Sequence, residues 1–201
     1  MYLPKIFNDS SHEEILKVFK AYPFAILATS EQDNLEISHL PFIYDEKSNI
    51  LITHLANNNS HIKNINNKKC TVIFNGPDLY ISPDWYVENN LVPTWNYISV
   101  HVKGTIKVIS DDVEIKKILD LTTKFFEEQN NTNWMNNLDE EFDAKLRTMI
   151  TVIEIKIDKI DAKFKLSQNR TEKSKLKMIK KMKKDNSKNS LMMIEFMKNR
   201  V

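Results

Sequence analysis

Two rhythms of apolar and polar residues organise this chain. Asp9-Ser10-Ser11-His12-Glu13-Glu14 pairs Ser10 with Glu13 and Ser11 with Glu14 as overlapping capping boxes. Ile15, Leu16, Val18 and Phe19 follow on one face, so a helix is predicted to about Tyr22, before Pro23. The period then shortens. Phe24–Thr29 reads as a buried strand, Glu31–Asn34 as a polar turn, Leu35–Tyr44 as a second strand, Asp45–Asn49 as a turn and Ile50–Leu55 as a third strand. Asn57-Asn58-Asn59-Ser60 caps a short helix to about Ile65. Cys70–Asn75 and Leu79–Ser82 are strands punctuated by Gly76-Pro77, and Trp95–Ser110 is a long strand with Gly104 as a bulge. A helix begins at Asp111-Asp112 and another covers about Leu138–Met149. Ile150–Phe164 returns to strand, with Val152, Glu154 and Lys156 alternating against Ile153, Ile155 and Ile157. The fold class is mainly β with added helices (α+β), a closed antiparallel barrel decorated by helices.

Composition narrows the chemistry. With 201 residues and 41% hydrophobic content, the chain builds a real core. It has two glycines, Gly76 and Gly104, so neither a Rossmann nor a P-loop phosphate loop can be assembled, and any nucleotide is held by side chains. The single cysteine, Cys70, sits in an apolar run and reads as a buried small hydrophobe. No Cys/His cluster points to a metal. No signal peptide and no membrane-length apolar run are seen, which leads to the expectation of a soluble, cytoplasmic protein without membrane partners. The net charge of +2 conceals a division. Residues 163–201 hold 13 basic and 3 acidic residues, net +10, and residues 1–162 hold 16 basic and 24 acidic, net −8. A basic tail on an acidic body fits either an anionic partner such as DNA or docking of tail on body.

Four stretches in fixed order carry a resemblance. They are Met1-Tyr2-Leu3-Pro4 with Pro23-Phe24 and Ser38-His39-Leu40-Pro41-Phe42; His54-Leu55-Ala56 with Asn59, then Gly76-Pro77 and Tyr80-Ile81-Ser82-Pro83-Asp84-Trp85-Tyr86; Val92-Pro93-Thr94-Trp95-Asn96-Tyr97 with Val100–Gly104; and Lys165-Leu166-Ser167-Gln168-Asn169-Arg170. Together they resemble the PaiB family of FMN-binding negative transcriptional regulators, over the chain to about Met182. The resemblance implies an antiparallel split β-barrel of the FMN-binding type over residues 1–170, with a basic helical appendage over 171–201. It also implies a homodimer with FMN at the interface, and a regulatory role. Two departures stand out. Phe24-Ala25-Ile26 replaces the Phe-Gly-Thr common in relatives, and Asn59-Ser60-His61-Ile62 replaces an Asn-Pro that is followed by Trp.

FMN needs donors for its phosphate, an apolar slot, and partners for the polar edge of its ring. Thr53, His54, Asn59, Ser60, His61 and Lys63 lie where a strand ends and a short helix opens, and form the candidate phosphate site; an Asn-rich turn with a solvated lysine reads the same residues blandly. His39, like His54, is either a pocket residue or a satisfied core or interface histidine. Trp95, among Trp85, Tyr86 and Tyr97, either walls a ring cleft or fills a dimer core, and Asn96, facing the other way along the strand, hydrogen-bonds either a flavin edge or a neighbouring loop. Gln168, Asn169 and Arg170 belong to a polar segment that either covers a pocket or caps the tail helix through Ser167 or Asn169. No catalytic set assembles.

After Arg170, Leu176, Ile179 and Met182 fall along one helical side among lysines, with a break near Asp185-Asn186-Ser187. The tail packs through that side or contacts DNA, with binding to a membrane surface as a third reading. The alternatives to a dimeric FMN regulator are a flavin- or haem-dependent oxidoreductase and a cofactor-free DNA-contacting repressor.

Overall fold

Strands rich in Ile, Val and Leu dominate the middle of the chain, and their pairing sets the architecture. The computed structural model describes residues 1–198 apart from Ser10, Gln32, Asp33 and Asn133. In order the elements are α1 (His12–Ala21), β1 (Phe24–Glu31), β2 (Asn34–Pro41), β3 (Ile43–Asp45), β4 (Ile50–Ala56), β5 (Lys69–Ile81), β6 (Thr94–Ile109), α2 (Asp112–Gln129), α3 (Glu140–Arg147), β7 (Ile150–Lys165), α4 (Glu172–Asp185) and α5 (Lys188–Met197). The strands make one sheet in the order β2-β1-β5-β6-β7-β4-β3. β1 and β2 pair antiparallel from Phe24↔Pro41 to Glu31↔Asn34, and β4 pairs antiparallel with β7 from Ile50↔Lys156 to Ala56↔Ile150.

Several local expectations are revised. The second predicted strand divides at Phe42, whose amide turns aside to Pro23 O. The Gly76-Pro77 pair does not interrupt β5, which runs unbroken from Lys69 to Ile81. The helix after Asn59 is a single 3-10 turn, Ser60–Ile62. Ser11 occupies the start of α1 without a capping side-chain bond, and Ser10 of the other expected box lies outside the described residues.

The chain divides into two units. The first comprises Met1–Tyr22, Ile73–His101 and Ile160–Val201, and the second Pro23–Val72 and Val102–Lys159. In the second, Ile43, Ile52, Ile109, Ile118 and Val152 form a buried cluster that Ile115, Leu119, Phe125 and Phe126 of α2 cover. In the first, Phe19 of α1 packs on Phe74 with ring centroids 4.5 Å apart, and Phe164 meets Phe196 of α5 at 5.9 Å. Helix α4 is buried along Ser174, Met178 and Met182, spaced i, i+4, i+8, while Leu176 points to solvent; the apolar side expected at Leu176 and Ile179 is thus displaced, because methionine fills the buried positions. The break at Asp185–Ser187 is present, with Asn186 left-handed at the end of α4 and the Ser187 hydroxyl accepting from Ser190 N to start α5.

Turns here use asparagine. Among the described residues with positive φ, Asn49, Asn64, Asn67, Asn90, Asn131 and Asn186 are joined by Ser167 alone, and both glycines lie inside strands. Asparagine enters the left-handed region at lower cost than other non-glycine residues, its amide bonding locally. No helix among the described residues is long and apolar enough to cross a membrane.

Gly104 is where β6 lies tightest. A Cβ there would meet Ile155 Cγ2 and Lys156 O, each at 2.5 Å, and the carbonyl cannot rotate away. Gly104→Ala is expected to lower unfolding stability by about 1–3 kcal/mol, the usual range for an overpacked core, as read from urea denaturation. An unchanged midpoint would show that β7 yields at no cost.

Candidate functional site

In the second unit, the turn after β4 closes against the β1–β2 hairpin through one imidazole. His61 is 2% exposed. Its Nε2 lies 2.9 Å from Thr29 Oγ1 on β1 and its Nδ1 lies 2.9 Å from Ser38 Oγ on β2. Asn59 completes the junction, its Nδ2 donating to Ser38 Oγ at 3.1 Å and its Oδ1 accepting from His61 N at 2.9 Å. Alternation explains the placement: Ser38 and Leu40 face inward on β2, and Leu35, Ile37 and His39 face outward. Burial holds the His61 pKa below 6.5; Glu36 opposes that shift and Lys68 adds to it.

Beside this junction lies an open cleft of about 420 Å³, bordered by Glu31, Glu36, Ser60, Lys63 and Lys68. Lys68 Nζ is 2.5 Å from Glu31 Oε2, and Ser60 Oγ makes a long 3.4 Å bond to Glu36 Oε2. Lys63 is exposed at the rim. One hydroxyl and two ammonium groups on a single cleft form a donor set that suits a phosphate dianion, and the two carboxylates are its internal competitors. Lys68, Glu31 and Glu36 were not singled out from sequence. The turn ahead of the cleft is anchored on the end of α3 and the start of β7: Asn57 N donates to Met149 O, Asn57 Nδ2 to Thr148 O, and Thr151 Oγ1 to Asn57 Oδ1.

The remaining second-unit candidates have other duties. Thr53 is buried and donates from Oγ1 to Pro41 O at 2.6 Å, tying β4 to the end of β2. His54 lies on β4 opposite Val152, half-buried, with its pKa lowered by burial. His39 is exposed and stacks on Phe24 with centroids 6.4 Å apart.

In the first unit, the polar signature at the end of β7 turns inward. Asn96 is wholly buried, with Oδ1 accepting from Ser167 Oγ at 3.0 Å and Nδ2 3.7 Å from Met178 Sδ; Ser167 Oγ also lies 2.7 Å from Tyr86 OH. Gln168 bonds back to Phe164 O and Leu166 N, and the Arg170 guanidinium rests 5.1 Å over the Tyr86 ring. The capping expected of Ser167 or Asn169 is performed by Thr171, which accepts from Ser174 N. Glu88 reinforces that end of α4 by accepting from Ser174 Oγ and from Thr171 Oγ1 and N. The Ser174 hydroxyl foremost holds the Glu88 carboxyl down to about 2. Trp95 and Asn169 are the two first-unit candidates that face solvent; Trp95 meets Tyr80 edge-on at 5.9 Å. Cys70 is buried with its thiol pushed up to about 12 by burial, as befits a core residue. No group of three or more metal-ligating side chains occurs among the described residues.

Comparison with known proteins places this geometry in context. The family model described as "Putative FMN-binding domain" matches residues 1–159. "Protease synthase and sporulation protein PAI 2" of Bacillus subtilis (strain 168) is 29% identical over 204 residues, spanning 100% of this chain and 98% of that protein. Among solved structures, the FAD and heme binding protein from Mycobacterium smegmatis superposes with a TM-score of 0.60 at 16% identity, covering 79% of this chain and 73% of that one. The flavocytochrome Anf3 from Azotobacter vinelandii gives 0.60 at 13% identity, covering 79% and 69% respectively. The shared fold is the expected one, an antiparallel split β-barrel with added helices.

Acid should loosen the junction. His61 and His54 both have folded pKa values below 6.5, so the unfolded chain takes up protons first as pH falls. Their contribution is complete above about pH 6.5 and is lost on acidification through the window below it. The urea midpoint is therefore expected to hold steady from about pH 8 to 7 and to fall below about 6.5, with His61→Gln flattening part of that slope. A midpoint that rises on acidification contradicts the burial of a neutral imidazole.

Proposed function

The chain belongs to the FMN-binding domain family, and from that premise we propose that it works as a homodimer that holds FMN and acts as a negative transcriptional regulator. FMN is the cofactor that family membership indicates. The observation that carries the reading is the convergence of Ser60, Lys63 and Lys68 on one cleft, in a chain with no glycine loop to receive a phosphate. Ser60 would donate to a phosphate oxygen, and Lys63 and Lys68 would balance its charge. His61 and Asn59 hold the turn that carries Ser60 against β1 and β2. Bound there, FMN supplies reversible hydride or electron transfer at its ring.

Dimerisation is supported by the outer face of the β1–β2 hairpin. Phe24, Leu35 and Ile37 are all more than half exposed there, with half-buried Ile26 between them. A contiguous apolar sheet face of this kind marks an interaction surface. The regulatory role is supported by relatedness along the full chain to the Bacillus subtilis protein. It is assigned here to the flavin-holding dimer, the alternatives being haem chemistry and a flavin-free repressor.

An absorbance titration of the purified protein with FMN, and separately with haemin, is the test. Saturable flavin bands at one FMN per subunit are expected. Ser60→Asp should abolish retention by repulsion, and Lys63→Ala should weaken it about tenfold, the value of one hydrogen bond to a charged group. Glu36→Gln should tighten it, because it frees Ser60 and removes a competing charge. FMN affinity unmoved by Ser60→Asp would overturn the phosphate assignment, and saturable haem bands with no flavin bands would overturn the cofactor.

A further inference from the structure

Helix α3, in the second unit, is fixed along one side and unpartnered along another. Arg147, its side chain 4% exposed, donates from Nε to Asp112 Oδ1 at 2.9 Å, from Nη2 to Asp112 Oδ2 at 3.1 Å and Glu140 Oε1 at 3.2 Å, and from Nη1 to Asp143. That clamp commits the 140/143/147 side of α3 to the start of α2. Away from it, Phe142 and Leu146 of α3 are 47% and 39% exposed, and Leu138 before the helix and Met149 after it are 44% and 58% exposed; Trp134 and Met135 are more than half exposed. Phe142 and Leu146, four residues and about 6 Å apart along the axis, share one face of the helix, and Leu138 and Met149 flank the helix at its two ends. Its surroundings are acidic. Residues 111–149 contain ten acidic and five basic residues, net −5, and Glu141 adjoins the patch.

The opposite surface is carried by the same chain. Helix α4 buries Ser174, Met178 and Met182, and therefore turns Lys173, Leu176, Lys180 and Lys183 outward, spaced i, i+3, i+7 and i+10. Leu176 is 46% exposed at the centre of this lysine face. One surface is an apolar patch with the exposed Glu141 carboxylate beside it in a net acidic segment, and the other is an apolar knob framed by ammonium groups.

We propose that the α3 patch of one copy receives the outward face of α4 from a second copy. The inference rests on the homodimer reading above and names a contact within that dimer. Apolar burial of Leu176 against Phe142 and Leu146 supplies the attraction. Lysine–carboxylate pairs at the rim contribute little each, but fix the register and make the contact sensitive to salt.

The test is sedimentation equilibrium of the full-length protein with FMN present, at roughly 50 mM and 500 mM NaCl, where screening differs several-fold in range. The wild-type dimer is expected to weaken about tenfold in the higher salt, and Phe142→Asp to weaken it at least about tenfold in either. Glu141→Lys and Lys180→Glu should each weaken the dimer several-fold, and the two together should restore it, a rescue that misfolding cannot produce. A dimer indifferent to Phe142→Asp and to both charge reversals overturns this interface and leaves the homodimer reading standing. A wild-type protein monomeric at about 100 μM overturns both, since even a weak specific dimer assembles there. If Lys180→Glu spares the dimer but abolishes salt-sensitive retention of a duplex of about 30 bp, the lysine face belongs to nucleic acid and the proposal fails.

Discussion

A neutral imidazole held between two hydroxyls governs the second unit. His61 reaches Thr29 on β1 and Ser38 on β2 while its backbone belongs to the turn after β4, so three separate segments meet on one ring. A neutral imidazole has one donor and one acceptor nitrogen, and two hydroxyls satisfy both whichever tautomer is present. Asn59 then restrains Ser38 from the side. The geometry of the cleft is inherited from this arrangement: Ser60 precedes the ring in sequence, and Lys63 and Lys68 follow it at fixed remove. A buried imidazole whose neutral form is favoured by burial sits under the residues proposed to hold the phosphate.

The first unit solves a different problem with similar means. Helix α4 is lysine-rich and has few apolar side chains with which to anchor itself. Its hold comes from a methionine stripe and from polar groups that are all partnered: Ser174 with Glu88, and Asn96 with Ser167, which lies against Tyr86. Buried polar groups so matched add specificity at small net gain in energy, because each replaces a bond to water. The segment Lys165–Arg170 joins that arrangement through Ser167, while Gln168 bonds back to Phe164 O and Arg170 lies over the Tyr86 ring.

Period and capping made most elements legible. The helices at α1, α2 and α3, the long β6 and β7, and the break before α5 all follow from spacing that tertiary contacts leave intact. Where long-range geometry overrides local signals, the sequence misleads. Gly76-Pro77 reads as punctuation, yet β5 passes through it, and there a Cβ on Gly76 would meet Ile98 Cβ at 2.9 Å. The candidate site was legible as a donor-rich segment but not as a geometry. Asn59–Lys63 was visible as a donor-rich turn; which donors point inward depends on the hairpin register that brings Ser38 and Thr29 to His61. The pairings of Glu31 with Lys68 and Glu36 with Ser60 span 37 and 24 residues, and no local pattern announces them. The exposed patch on α3 was invisible for the converse reason: an apolar face at helical spacing looks the same whether it is covered or bare.

The distribution of glycine and asparagine has a consequence for movement. Neither glycine lies in a turn, and both are pinned by neighbours that leave no room even for a methyl group. The turns that elsewhere swing on glycine are built here on asparagines already seated in the left-handed well. Asparagine has fewer backbone states to visit than glycine, so these turns are stiff joints and their ordering costs the folding chain less entropy. The loops of this protein are brackets rather than hinges. A phosphate at the proposed site would then be accommodated by side chains, Glu36 and Glu31 giving up Ser60 and Lys68, with little help from the turns that carry them.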